Sequence, residues 1–170
     1  LRPVSKSEYG ELSPHEIRLA DGHHPQCLDV ITIETQGAQR HPYQRENVLI
    51  AEARPWIWQR KLPNAALPSL VDDVDRLWRP GFHSANGVND RVPEEIVMTT
   101  KEPSLYLIRP GGFALIVSAD PDGRKKVRAR FTYRDASYLL SVTDPAIEQP
   151  YLGKDHGEYP LTHKDLYLTV

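Results

Sequence analysis

Short runs of alternating apolar and polar residues dominate the chain, and this alternation is typical of β-strands rather than of long helices. Such runs predict strands at 1–4, 27–33, 56–60, 104–108, 113–118, 125–133, 137–142 and 165–170. A turn over Asp120-Pro121-Asp122-Gly123 joins two of these strands into a hairpin, because proline presets φ and glycine tolerates a positive φ. The pattern therefore indicates a mainly β protein.

Helical spacing occurs in one longer segment. Apolar residues three and four positions apart predict an amphipathic helix over 67–78, which Arg79-Pro80-Gly81 ends. Shorter helical turns are predicted at the capping box of Ser13 and Glu16 and after Asp144-Pro145. The 15 prolines among 170 residues favour short elements, since an average protein contains ~5% proline.

The second half of the chain is ordered as strand, hairpin, strand, short helix and strand, which is the layout of an OB-type barrel. Other small barrels fit this order almost as well. We predict two small OB-like barrels, with a first unit over 1–62, a connector of one helix and a long loop over 63–100, and a second unit over 101–170. Because the chain opens and closes on strand-like runs, we also expect both of its ends to be truncated.

The main candidate for a binding site is the basic run at 124–134. The net charge of -2 does not demand a polyanionic partner, so a nucleic-acid site must be local. Alternation places Lys126, Arg128, Arg130 and Arg134 on one face of the strand, with alternate residues ~7 Å apart. Cations at this spacing predict contacts with the phosphates of a single-stranded nucleic acid. The alternative is a solvated outer face that prevents aggregation.

Aromatic side chains that could stack on bases are the second ingredient of such a site. Trp56 and Trp58 share one face of a predicted strand, and Tyr138 follows the basic strand. The alternative for all three rings is packing in the core, where most tryptophans are largely buried.

No complete catalytic or metal-binding motif is visible in the sequence. The adjacent His23 and His24 point apart, and Cys27, the single cysteine, opens a core-like strand. We therefore predict no metal and no cofactor, and we favour a non-catalytic protein. An enzyme would have to place its catalytic residues in the polar loop 81–93, with Asp90 among them. No apolar run approaches the ~18 residues of a membrane span and no signal peptide is visible, which predicts a cytoplasmic protein that does not bind membranes.

Several short strings occur in the same order as in a known family. They include Arg2-Pro3-Val4-Ser5, Gly10-Glu11-Leu12-Ser13, Leu28-Asp29-Val30, Gly87-Val88-Asn89-Asp90-Arg91-Val92 and Val142-Thr143-Asp144-Pro145. On these strings the chain resembles the bacterial family of dual OB domain-containing proteins, over nearly its whole length. The resemblance implies two OB-like barrels, further strands before Arg2 and after Val170, and the binding of nucleic acid or another ligand. It implies no catalytic residues.

These observations together predict a non-catalytic binding module whose partner is single-stranded nucleic acid, held mainly through its backbone by the basic strand. The alternative is a protein-interaction or assembly module that works within a larger complex.

Overall fold

The computed structural model describes residues 1–39, 41–100, 102–163 and 165–170. They form two compact units, each with contributions from two stretches of chain. The first unit comprises Leu1–Leu70 and Met98–Leu105, and the second comprises Val71–Val97 and Tyr106–Val170. Residues 63–100, which the sequence analysis assigned to a connector, are therefore divided between the two units.

The described residues of the first unit include five short strands. They are β1 (Arg2–Val4), β2 (Asp29–Thr32), β3 (Thr35–Ala38), β4 (Asn47–Ile50) and β5 (Ile57–Lys61). Strand β4 lies between β1, which is parallel to it, and β3, which is antiparallel. Strands β2 and β5 form a separate antiparallel ribbon with an irregularity between Val30 and Ile31. A 3-10 helix (Asn64–Ser69) follows β5.

Strand β3 is not among the strands that the sequence pattern predicts. Its four residues are all exposed, so they carry no apolar alternation that could mark a strand. The strand exists because its backbone pairs with β4.

The predicted turn at Ser13 does form, and its capping box is complete, since the Ser13 N–H donates to the Glu16 carboxylate at 2.8 Å.

The second unit contains two helices and six strands among the described residues. They are α1 (Glu94–Thr99), β6 (Leu107–Ile108), β7 (Gly111–Ala119), β8 (Lys125–Tyr133), β9 (Ala136–Ser141), α2 (Pro145–Leu152), β10 (Gly157–Pro160) and β11 (Leu168–Thr169), with α1 continuing into the first unit. The main sheet has the order β10-β7-β8-β9, and β6 pairs separately with β11. Asp144 caps α2 by accepting a hydrogen bond from the Ala146 N–H.

The core of the second unit lies on one face of the main sheet. Val127, Phe131 and Tyr133 of β8 point into it, as the alternation in the sequence predicted. The hairpin turn also forms as predicted: the Gly123 N–H donates to the Asp120 carbonyl at 2.8 Å, and Gly123 has a φ of 79°. Local sequence signals thus place β7 and β8 correctly.

The predicted helix over 67–78 does not form. Its first residues belong to the 3-10 helix, and Val74, Leu77 and Trp78 reach the core from the irregular segment that follows. The backbone groups there bond to distant partners instead of to the preceding turn. The Asp72 N–H donates to the Leu107 carbonyl at 2.8 Å, and the Tyr133 hydroxyl donates to the Val74 carbonyl at 2.8 Å. Leu77 is nevertheless fully buried in the core. The apolar spacing therefore indicated the burial of Leu77 correctly, but it was wrong about the helical backbone.

Strand β10 was missing from the prediction. The second unit therefore has the predicted order of strand, hairpin, strand and helix, followed by two strands instead of one. The mainly β prediction is confirmed. Within the described ranges the strand ladders do not close into a barrel in either unit. None of the helices in these ranges has the length and apolar character needed to cross a membrane.

Candidate functional site on strand β8

The basic strand is present, and its side chains alternate between the core and an outer face. Lys126, Arg130 and Thr132 are exposed, whereas the residues between them are buried. Arg128 departs from this pattern, because it lies among the outer-face residues by alternation but is only 8% exposed. The four predicted cations are therefore not equivalent.

Arg128 is engaged in the hairpin itself. Its guanidinium pairs with the Asp120 carboxylate and donates to the Ser118 hydroxyl at 3.2 Å. The two side chains of the ion pair are 10% and 20% exposed. An arginine that is buried against a carboxylate serves the fold, since the removal of either partner leaves an uncompensated charge. The prediction that Arg128 contacts phosphates is therefore corrected.

Arg130 and Arg134 also pair with carboxylates, but these ion pairs are exposed to solvent. Arg130 binds Glu158 of β10, with the two side chains 49% and 42% exposed. Arg134 binds Asp73, with exposures of 50% and 87%, and its Nε donates to the Val74 carbonyl at 3.3 Å. Ion pairs as exposed as these contribute only ~0–1 kcal/mol to stability. Both guanidiniums are thus oriented without being tightly held.

Arg109, which the sequence analysis missed, lines a pocket with each of these two arginines. It lines an open pocket of about 430 Å³ together with Arg130 and Glu158. It also lines a second open pocket of about 390 Å³ together with Arg134 and Asp73. We call the surface formed by these two pockets the arginine groove, with Arg109, Arg130 and Arg134 as its cations.

The groove passes over a glycine pair at which the ladder between β7 and β8 shifts register. Gly111 lines one pocket and Gly112 the other, and the register shifts between Gly111 and Ala114. A Cβ atom on Gly111 would lie 2.7 Å from the Thr132 Oγ1, and Gly112 has a φ of 52°, so both positions favour glycine. Bare backbone is therefore accessible between the arginines. A glycine pair inside a strand pattern is a signal for such an irregularity.

Two of the three aromatic candidates are buried and cannot stack on a base. Tyr138 is 0% exposed, and its ring stacks on Phe131 with the centroids 5.2 Å apart. Burial raises the pKa of the Tyr138 hydroxyl. Trp56 is 6% exposed and packs with Leu19 and Ile50 in the core of the first unit. For these rings the core-packing alternative is correct.

Trp58 remains accessible, since 48% of it is exposed. Its indole N–H donates to the Asp29 Oδ1 at 3.1 Å, and the Lys61 ammonium lies 3.4 Å from the same oxygen. The Gln26 N–H donates to the other carboxylate oxygen at 2.8 Å, and this hydrogen bond is the main cause of the lowered pKa of Asp29. The ring is therefore held in one orientation by an anchored carboxylate.

The loop 81–93, considered above for catalysis, uses its polar side chains to hold itself in place. The buried Asn89 accepts from the Gly81 N–H at 2.6 Å and donates to the Ser137 carbonyl at 2.8 Å. The Asp90 carboxylate accepts from the Ser84 N–H at 2.6 Å. Burial opposes ionisation of Asp90, but the hydrogen bonds from Ser84 outweigh it and lower its pKa.

Metal-ligating side chains do not converge in the part of the chain that the structure describes. Outside the three residues at 40, 101 and 164, no three of the His, Cys, Asp or Glu side chains come together in a way that could hold an ion. Carboxylates in the second unit instead pair with arginines.

The profile of one protein family, described as a dual OB-containing domain, matches residues 1–170. No curated protein and no solved structure matches the chain. The match spans both compact units and agrees with their mainly β composition. The chain belongs to the family of dual OB-containing domains.

Proposed function

We propose that this domain binds single-stranded nucleic acid mainly through its phosphate backbone, and that the arginine groove is the principal contact. The observation that carries the proposal is the convergence of Arg109, Arg130 and Arg134 on two adjoining open pockets. Phosphate contacts from Lys and Arg supply most of the affinity in binding that does not read sequence. OB folds commonly bind oligonucleotides, though they also bind other ligands.

The shape of the groove supports a backbone ligand. Guanidinium groups match the phosphate geometry with paired N–H donors, so an arginine orients a phosphate as well as attracting it. Gly111 and Gly112 are exposed at the groove, so a sugar-phosphate chain can approach the protein backbone there. Lys126 extends the cationic face along β8 towards the hairpin turn.

Each unit is proposed to be one OB-like barrel of the dual domain.

Base stacking is proposed for Trp58 in the first unit. A ring held by Asp29 keeps its faces available without losing side-chain freedom on binding. Arg60 and Lys61 follow in the same exposed strand and can contact phosphates beside a stacked base. Trp58 thus takes the stacking role that the buried Trp56 and Tyr138 cannot fill.

Exposed apolar residues on β5 favour protein interaction as the second candidate function. Ile57 and Trp58 are both about half exposed on this strand. Tryptophan and arginine are enriched at the energetic centres of protein interfaces, and β5 carries both.

Fluorescence anisotropy of a labelled oligothymidylate tests the proposal. A length of about 12 nucleotides lies within the ~4–16 nucleotides that an OB fold covers. We expect binding that weakens with salt and that falls at least roughly tenfold in the double variant Arg130→Ala/Arg134→Ala, since each contact with a charged group is worth about 1.5–3 kcal/mol.

The matched control is Arg124→Ala, which removes an exposed arginine that pairs with Asp122 at the hairpin turn. Arg128 is left unchanged because its loss would disturb the hairpin. Equal weakening by the control would indicate net charge rather than the groove. Absence of binding by the folded wild type would favour the protein-interaction function.

A further inference from the structure

We infer that Glu158 and Asp73 are built-in competitors for the phosphates of the ligand, and that, because they weaken the binding of each single phosphate, firm binding in the arginine groove requires two phosphates on one chain. This inference rests on the proposed function. It assigns a role in specificity to two residues that neither the basic strand nor the family match identifies.

Each pocket of the groove has the same composition. One holds Arg130 with Glu158, the other holds Arg134 with Asp73, and Arg109 lines both. In each case the carboxylate accepts from the Nη2 of the guanidinium, which is one of the donors that a phosphate would use. A phosphate that pairs with a donor fork including this nitrogen must therefore displace the carboxylate at each of the two positions.

These two carboxylates belong to distant parts of the chain. Glu158 lies on β10, where its register partner is Ile116 of β7. Asp73 lies in the irregular segment that Tyr133 holds through hydrogen bonds with Asp72 and Val74. The backbone on either side of the groove is thus anchored, while the carboxylates themselves remain exposed.

The ion pair of Arg128 shows what a structural pair on the same strand looks like. Its two side chains are mostly buried, and Ser118 adds a further hydrogen bond. The pairs of Arg130 and Arg134 are open to solvent and can exchange partners at little cost. Strand β8 and Arg134, the turn residue that follows it, therefore carry one largely buried pair and two exposed pairs that can exchange partners.

The need for two phosphates follows from how the two exchanges combine. Each exposed carboxylate weakens the binding of one phosphate by up to about fivefold, because such a pair is worth at most ~1 kcal/mol. A single phosphate is therefore weakly held, whereas two phosphates on one chain bind together, since the first exchange makes the second intramolecular. The groove thus holds phosphate chains more firmly than single phosphates.

The test compares Glu158→Gln, Asp73→Asn and the double variant with the wild type, using labelled oligothymidylate and, as a competitor, thymidine monophosphate. We expect each single variant to bind the oligonucleotide roughly two- to fivefold more tightly, because an exposed competing pair is worth up to about that factor. The double variant is expected to gain the product of the two single factors in its affinity for the oligonucleotide, whereas its affinity for thymidine monophosphate, which displaces one carboxylate, is expected to gain about one such factor.

Glu52→Gln is the control for net charge, since Glu52 pairs with Lys6 in the first unit and both side chains are exposed. Its affinity is expected to stay within the error of the wild type. Unchanged or weaker binding by Glu158→Gln and Asp73→Asn, while the wild type binds, would overturn the inference and make the carboxylates orienting groups for the arginines. Absence of binding by every protein would overturn the proposed function as well.

Discussion

Arg128 of β8 reaches across to Asp120, the first residue of the turn between β7 and β8, and closes the hairpin with a largely buried ion pair. The Asp120 N–H also donates to the Arg124 carbonyl at 2.8 Å, so one residue anchors both the turn and the pair. This relationship separates the part of the basic strand that stabilises the fold from the part that is available to a ligand.

Asp120→Asn tests the structural role of this pair. We expect a loss of about 2–3 kcal/mol in the free energy of unfolding, which is less than the ~3–5 kcal/mol for fully buried pairs, because the guanidinium loses its counter-charge while it is only partly buried. Urea denaturation measures the change. Asp122→Asn, which removes the charge of the exposed partner of Arg124, is the control and should lower the free energy of unfolding by less than ~1 kcal/mol. Similar losses in both variants would contradict the role given to Arg128.

Gly111→Ala tests the close contact at the floor of the groove. A new Cβ would lie 2.7 Å from the Thr132 Oγ1, so we expect a destabilisation of roughly 1–3 kcal/mol from overpacking. Thr132→Ala removes the clashing atom, and the double variant should recover most of the loss, with a coupling energy of about 0.5–3 kcal/mol. Additive effects in chemical denaturation would show that the contact does not limit this position.

Trp58→Ala tests the stacking role of the first unit. We expect oligonucleotide affinity to fall by about 1–3 kcal/mol, the usual effect of removing one base-stacking ring, with little change in thermal stability. Tyr9→Ala is the control, since Tyr9 is another exposed aromatic side chain of the same unit. The oligonucleotide should quench the tryptophan fluorescence of the Trp58→Ala variant less than that of the wild type. Equal affinity for wild type and Trp58→Ala would remove this residue from the site.

Asn89→Ala tests the anchoring of the loop 81–93. Its side chain links Gly81 to Ser137, so we expect a loss of about 2–4 kcal/mol from the two buried hydrogen bonds and the groups left unpaired. Asn89→Gly relieves the positive φ of 50° but loses the same bonds, and it should be destabilised slightly less. Thermal denaturation distinguishes the variants, and a neutral effect of Asn89→Ala would contradict this anchoring.

Asp90 gives a prediction for acid stability. Its folded-state pKa lies below the ordinary value, so its stabilisation is complete above that value and is lost as the pH falls through the folded-state pKa. We expect Asp90→Asn to unfold more easily than the wild type at neutral pH and the two to converge in acid. Urea midpoints at about pH 7 and about pH 3, on either side of the ordinary Asp pKa, measure this. A constant difference between the proteins would contradict the assignment.

Elements with a local cause could be predicted from the sequence by itself. The alternation of β8 sorts its residues into buried and exposed faces, because successive side chains of a strand point in opposite directions. The hairpin turn follows from Pro121 and Gly123, and α2 begins where Asp144 can cap it. These features depend on a few neighbouring residues, whose identity the sequence shows directly.

Tertiary structure decided which backbone forms and which charges remain available. The apolar spacing at 67–78 resembles that of a helix, but Leu107 and Tyr133 form hydrogen bonds with backbone groups of this segment. Periodicity cannot distinguish such a segment from a helix, since both bury residues at the same spacing. Arg130 and Glu158 meet across 28 residues, and Arg134 and Asp73 across 61. A row of cations in the sequence becomes a binding surface only where long-range packing leaves its ion pairs exposed, because burial converts the same pair into part of the fold.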